Sequence, residues 1–296
     1  MEIALSLVSA MLFALATVLQ QRAGVGAPSA GTTAGLVLRM ATRRVWLAGI
    51  VFDGLGFVAQ AAALGSGRLA VVQPLLVFSV VFALPLGVRF SGQRVRRGEV
   101  LAAAAVVLGL VAFLSLARPS GGRGDAPLGD WLIATGVLAV VCSPLVLLGR
   151  RGPGPLRAAW LGTAAGILFA LSAALTKAVV DDLHGGVLPL LSSWEPYALV
   201  AVGYASMTLN QMALNTGALA ATIATSTASD PIISVVLGLV LFRESLHVAG
   251  LGALGAVAAL AVALLGMAVL ARAEEQTAAP ADEQTPEEKP TAAPAG

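Results

Sequence analysis

Leu12-Phe13-Ala14-Leu15, followed at Leu19 by Gln20-Gln21, returns as Leu168-Phe169-Ala170-Leu171, followed at Leu175 by Thr176-Lys177. A second block, Ala63-Leu64-Gly65-Ser66-Gly67-Arg68-Leu69-Ala70, returns as Ala213-Leu214-Asn215-Thr216-Gly217-Ala218-Leu219-Ala220. The offsets are 156 and 150 residues, so the two halves match in order. Both halves are intensely apolar. An apolar chain built from two similar halves is what a secondary transporter with its site between repeats looks like. Chance matching of abundant Ala and Leu is the competing explanation, and two matches in one order at nearly one offset argue against it.

Of 296 residues, 57% are hydrophobic and 11% charged, with a mean hydropathy of +0.88. A soluble domain carries about 25% charged residues. This chain cannot hide so much apolar surface from water, so its solvent is the lipid bilayer. The net charge of +2 and the pI near 9.1 come from loop arginines flanking apolar runs. Such clusters do not form a nucleic-acid footprint, and no nucleic-acid partner is expected. Two lysines, Lys177 and Lys289, stand beside sixteen arginines, a bias that suggests a GC-rich bacterial genome. Cys142 is the only cysteine and reads as helix filling, so no internal disulfide forms. Two histidines and one cysteine exclude a soft-ligand metal cluster. The start, Met1-Glu2-Ile3, lacks the positive region of a signal peptide and reads as the beginning of a retained span.

A span needs about 20 apolar residues. Nine stretches qualify: 3–22, 45–66, 69–89, 99–118, 128–149, 156–180, 196–217, 219–242 and 247–271. The connections at 67–68 and 218 are short enough for tight antiparallel hairpins. Residues 23–44, with Arg39, Arg43 and Arg44, read as a loop or surface helix, a tenth short span being the alternative; residues 183–195 are ambiguous in the same way. With nine spans and an outside N-terminus, twelve arginines fall on the inside and five Arg or Lys on the outside, Lys289 left out. The positive-inside rule then puts the C-terminus in the cytoplasm. Spans 1–4 and 6–9 are the repeats, and span 5 links them. Five crossings separate span 1 from span 6, so the repeats are inverted. The expected organisation is a first repeat over 1–118, a linking helix and loops over 119–155, a second repeat over 156–272 and an acidic cytoplasmic tail over 273–296. The tail holds four prolines and no large apolar residue, and disorder is expected there.

A carboxylate at the bilayer centre costs at least about 2.5–3.5 kcal/mol on insertion scales. Asp53 in span 2 and Asp230 in span 8 are the two that bear this cost. Each is a functional-site expectation, weighed against a buried carboxylate satisfied by hydroxyls. Thr222, Ser226, Ser229 and Asp230 fall at i, i+4, i+7 and i+8 on one helical face. Pro231 lacks an N–H, so the carbonyl of Thr227 loses its helical donor. Carbonyl, hydroxyls and carboxylate form a hard-oxygen site for a cation, a proton or a polar solute. The alternative is hydroxyls that bond back to their own helix. Pro74, beside Gln73, and Pro85 are expected to interrupt span 3 in the same way. Gln60 and the pair Asn210-Gln211 occupy nearly matching places in spans 2 and 7, either to bind solute or to glue helices. Lys177 reads as an interface residue whose ammonium snorkels to water. Glu244 reads as structural, pairing with Arg243 or capping span 9. No phosphate loop is present. No plausible catalytic set forms with His184 and His247 both near span ends. Neither an enzyme nor a cofactor is expected.

The stretch Pro231 to Glu244, P-I-I-S-V-V-L-G-L-V-L-F-R-E, resembles the proline-to-glutamate signature of the EamA-type drug/metabolite transporters. Val72-Gln73-Pro74-Leu75-Leu76-Val77-Phe78-Ser79-Val80 and Asn210-Gln211-Met212-Ala213-Leu214 are similar to segments of the NIPA branch of that superfamily. Eukaryotic members of that branch are linked to magnesium transport. The resemblance covers residues 1 to about 272 and departs at Gln93, which stands where the first-half glutamate would be. It implies an all-α polytopic fold of two inverted repeats and a bacterial inner-membrane permease that moves a small solute by alternating access. Asp230 would be the coupling or ligating carboxylate, Asp53 the second, and the amides and span 8 hydroxyls the lining. The narrower alternative is Mg²⁺ held by Asp53 and Asp230. An assembly partner or scaffold without transport is the reading from another class.

Overall fold

Ala and Leu dominate the apolar runs, and both are strong helix formers. In hydrocarbon the backbone must also bond to itself, so each run closes into a helix. The structure, a computed structural model, describes residues 1–24, 43–91, 95–151, 154–248 and 250–278. Its helices are α1 (Glu2–Gly24), α2 (Arg44–Ser66), α3 (Leu69–Leu76), α4 (Phe78–Ser91), α5 (Arg97–Ala117), α6 (Leu128–Arg151), α7 (Gly154–His184), α8 (Val187–Ser192), α9 (Glu195–Leu214), α10 (Leu219–Val240) and α11 (Leu251–Ala278). Among the described residues, eight stretches are long and apolar enough to cross a membrane: α1, α2, α3 with α4, α5, α6, α7, α10 and α11. The chain is a mostly helical, multi-pass membrane protein.

The expected span at 196–217 is the one that falls short. Its helix, α9, has 20 residues, about 30 Å of length. Ser206, Thr208, Asn210 and Gln211 dilute its apolar run. Residues 183–195 hold the short α8. The expectations for 25–42 and 279–296 lie outside the described residues. The acidic tail was expected to begin at 273, yet α11 continues to Ala278. Glu274, Glu275 and Gln276 are good helix formers and the first proline is Pro280, so nothing earlier stops the helix. One feature departs from an all-helical reading. Strands β1 (Pro119–Gly121) and β2 (Glu244–Leu246) pair antiparallel, with Ser120 opposite Ser245.

Small residues set the packing, as they do wherever helix backbones approach closely in lipid. α1 and α2 are antiparallel: the Ser9 hydroxyl donates to the Gly56 carbonyl at 2.8 Å, and Glu2 meets Arg68 at 2.8 Å. α7 and α10 run parallel, with Gly162 against Thr222 and Thr225 and Gly166 against Ser226 and Ser229. α5 and α11 are antiparallel, with Gly109 against Ala259 and Ala263 and Gly266 against Ala102 and Val106. The leading contacts of α1 are with α2 and α4, and those of α7 are with α9 and α10. At one end of the bundle α1, α3, α6, α9 and α11 begin and α2, α5, α7 and α10 finish. That end is filled by Leu64, Leu69, Trp131, Leu175 and Phe242. The opposite end carries the arginines that close or open helices, among them Arg22, Arg44, Arg97, Arg150 and Arg151.

Candidate functional site

A cavity of about 640 Å³ lies at mid-height in the bundle. α1 contributes Phe13, α2 Phe57 and Gln60, and the α3–α4 junction Gln73, Leu76, Val77 and Ser79. α7 contributes Phe169, Ser172 and Thr176, α9 a face that includes Tyr204 and Asn210, and α10 Ser226, Thr227, Asp230 and Pro231. The third wall exists because the helix breaks at Val77, three residues after Pro74, where the Val77 N–H turns to the Pro74 carbonyl at 3.3 Å.

The polar groups of the cavity are incompletely paired. Gln73 is only 3% exposed, and its Nε2 is buried with no hydrogen-bond partner among the described residues. The Ser172 Oγ is buried and unpartnered in the same way. Asp230 accepts a hydrogen bond from the Ser234 hydroxyl at 3.1 Å. Among the described residues it is the single carboxylate in the lining, and no Lys, Arg or His lines the cavity. A buried donor left unpaired costs roughly 1–3 kcal/mol. Gln73 and Ser172 each leave one such atom unpaired among the residues that line the cavity.

Of the expected site residues, Asp230, Ser226, Gln60, Gln73 and Asn210 come together here, with Pro231 beside them. The others do not join them. Asp53 is exposed, one turn before Phe57 on the same stripe of α2, and does not line the cavity. Gln211 is exposed on α9. Thr222 is fully buried against Gly162, and Ser229 packs on Gly166. Their hydroxyls donate to the carbonyls of Ala218 and Thr225 in their own helix, and Ser226 donates to that of Ile223. The shared face expected from spacing is therefore split between the cavity and the α7 interface. Pro85 and Pro231 sit inside α4 and α10 without interrupting them, so of the three prolines only Pro74 precedes a break. Sequence reasoning passed over Ser172, Phe13 and Phe169. The two phenylalanines occupy equivalent positions of the first repeated block, a signal that could have found them.

A second polar assembly closes the end where α2 meets α3. Glu244 is 4% exposed and accepts from the Leu69 and Ala70 N–H groups, at 2.7 and 3.0 Å, at the start of α3. A carboxylate is favoured there by the helix dipole. Lys177, 6% exposed, donates to the carbonyls of Gly67 and Leu64 at the end of α2. Its Nζ lies 3.9 Å from Glu244 and 5.3 Å from the centre of the Phe242 ring. Two expectations are corrected here. Lys177 does not snorkel to water, because the carbonyls at the end of α2 offer its ammonium partners inside the protein. Glu244 neither pairs with Arg243 nor caps α11, because the unpaired amides of α3 are nearer; Arg243 instead approaches Asp130 at 3.5 Å. Burial pushes the Glu244 carboxyl above its ordinary range, against the opposing pull of the Ala70 and Leu69 amides and the Lys177 cation.

A Corynebacterium glutamicum protein described as uncharacterized is 32% identical over 245 residues, covering 82% of this chain and 85% of that protein. The chain belongs to the family of that protein. The 245 aligned residues exceed the length of either half, so the likeness to the corynebacterial relative extends into both. No family model and no solved structure matches the chain.

Proposed function

We propose that the protein is a secondary-active permease of the bacterial inner membrane, moving a small solute by alternating access around the cavity at Asp230. The observation that carries this reading is a mid-height cavity lined from both halves, with one carboxylate, Asp230, in its lining and the unpaired Nε2 of Gln73 buried beside it. Repeat-equivalent residues support the two-halves view: Phe13 with Phe169, and Gln60 with Asn210, line the same space. Corresponding helices run oppositely, α1 against α7 and α5 against α11, as inverted repeats require. α1 ends where α2 begins, at the arginine-rich end. The arginines favour a cytoplasmic setting for that end by the positive-inside rule. On this view the drug/metabolite transporter fold is retained, with the division at 118 and 156 as read from the repeat.

The magnesium alternative draws less support, because Asp53 does not reach Asp230 and the cavity offers one carboxylate where two were expected. A hard cation of that charge is usually held by carboxylates together with retained water. A scaffold would have no use for unpaired polar atoms in a cavity. The test is solute flux in proteoliposomes under an imposed proton gradient, with Asp230→Asn beside the parent. At least a ten-fold loss is expected in Asp230→Asn protein of unchanged melting behaviour. Unchanged flux would remove Asp230 from the mechanism.

A further inference from the structure

The rim of the cavity lies at an unusual place. Val200 and Tyr204 both line it, yet they are 73% and 76% exposed, on the outermost stripe of α9. Phe57, across from them on α2, lines it and is 48% exposed. Tyr204 falls at the middle of α9, and Phe57 is close to the middle of α2. α9 falls short as a span by its own hydropathy but packs along the spanning α7, so at that depth an exposed side chain faces hydrocarbon, the bilayer core being about 30 Å thick. α2 and α9 are not among the helices that pack along each other. The end above is shut by Leu64, Leu69 and Phe242, each fully buried, and by the Lys177–Glu244 assembly.

We infer that the cavity is entered from the bilayer, through the gap between α2 and α9, by a cation that carries an apolar body. This deepens the permease reading and rests on it. The charge follows from the lining: a carboxylate with no basic side chain around it disfavours an anion. The apolar body follows from Phe13, Phe57, Phe169, Leu199 and Met207, large apolar side chains that share the lining with the polar groups. Asp53 completes the argument. It stands four residues before Phe57, about 6 Å along the helix, exposed and without a hydrogen bond or ion pair among the described residues. A lone carboxylate at that depth is costly unless it meets a partner. An amphiphile held in the membrane, its cationic head passing Asp53 on the way to Asp230, supplies one.

The experiment uses the full-length protein with Cys142→Ala, Phe57→Cys and Tyr204→Cys, reconstituted in liposomes. A bis-methanethiosulfonate reagent bridges the two thiols, and a reductant releases the bridge in the same sample. The probes are radiolabelled octyltrimethylammonium, which partitions into membranes, and tetramethylammonium, which does not. The expected result is octyl-chain flux at least ten-fold above that of tetramethylammonium, lost on bridging, recovered on reduction and several-fold lower in Asp53→Asn. Equal flux of the two probes, octyl-chain flux that survives bridging, or no octyl-chain flux at all would overturn the inference. Asp230→Asn separates the two levels. If it abolishes flux while the bridge does not, the membrane-side entrance fails and the cavity stands. If it leaves flux intact, the cavity reading fails as well.

Discussion

Glu244 sits beyond the end of α10, yet its partners lie on α3 and α7. A carboxyl whose pKa is raised by burial contributes stability that is fully present below the ordinary glutamate range and lost as pH rises through the raised value. The melting temperature of the detergent-solubilised protein should therefore fall as pH climbs out of that range, and Glu244→Gln should flatten the slope. Parallel slopes in the two proteins would contradict this. Gln73 makes the opposite kind of prediction. Gln73→Leu removes a buried, unpaired donor, so unfolding stability should hold or rise by about 1 kcal/mol while flux falls. A variant that loses stability and flux together would mean that Gln73 serves the fold instead. At this scale the sequence was only partly legible. Asp230 and Gln73 stood out because polar groups in apolar runs are costly. Lys177 and Glu244 were misread because their partners lie 67 or more residues away, and Ser172, whose hydroxyl has no partner among the described residues, was passed over.

Among the helices, glycine is where packing is most exposed to test. A Cβ at Gly109 would lie 2.7 Å from the Ala259 carbonyl and the Ala263 nitrogen, backbone atoms that cannot step aside. Gly109→Ala should lower unfolding stability by about 1–3 kcal/mol through overpacking of α5 against α11. Gly54 on α2 has nothing within 4 Å of the same position, so Gly54→Ala should be neutral or slightly stabilising. Thermal unfolding of the two variants side by side decides this, and equal losses would mean that the α5–α11 approach is looser than described. The helices were legible because hydropathy and length suffice to find them. The β1–β2 ribbon was not, since three-residue strands leave no period to read. Nor did the run of hydroxyls on α10 announce that Gly162 and Gly166 would take Thr222 and Ser229 away from the cavity.

For the whole molecule, the repeated blocks held more than any single motif, since Phe13 and Phe169, which the sequence reading passed over, stand at equivalent positions in them. What they could not place was the cavity's open side, which depends on how far α2 stands from α9. The central claim is that one cavity meets water on each side of the membrane in turn. It is tested most directly with Ser172→Cys in the Cys142→Ala protein, reconstituted in one known orientation and exposed to a membrane-impermeant thiol reagent from either side. Alternating access predicts labelling from both sides, with Glu244→Gln raising the rate from the side where α2 meets α3. Labelling from one side only, or from neither, would contradict it.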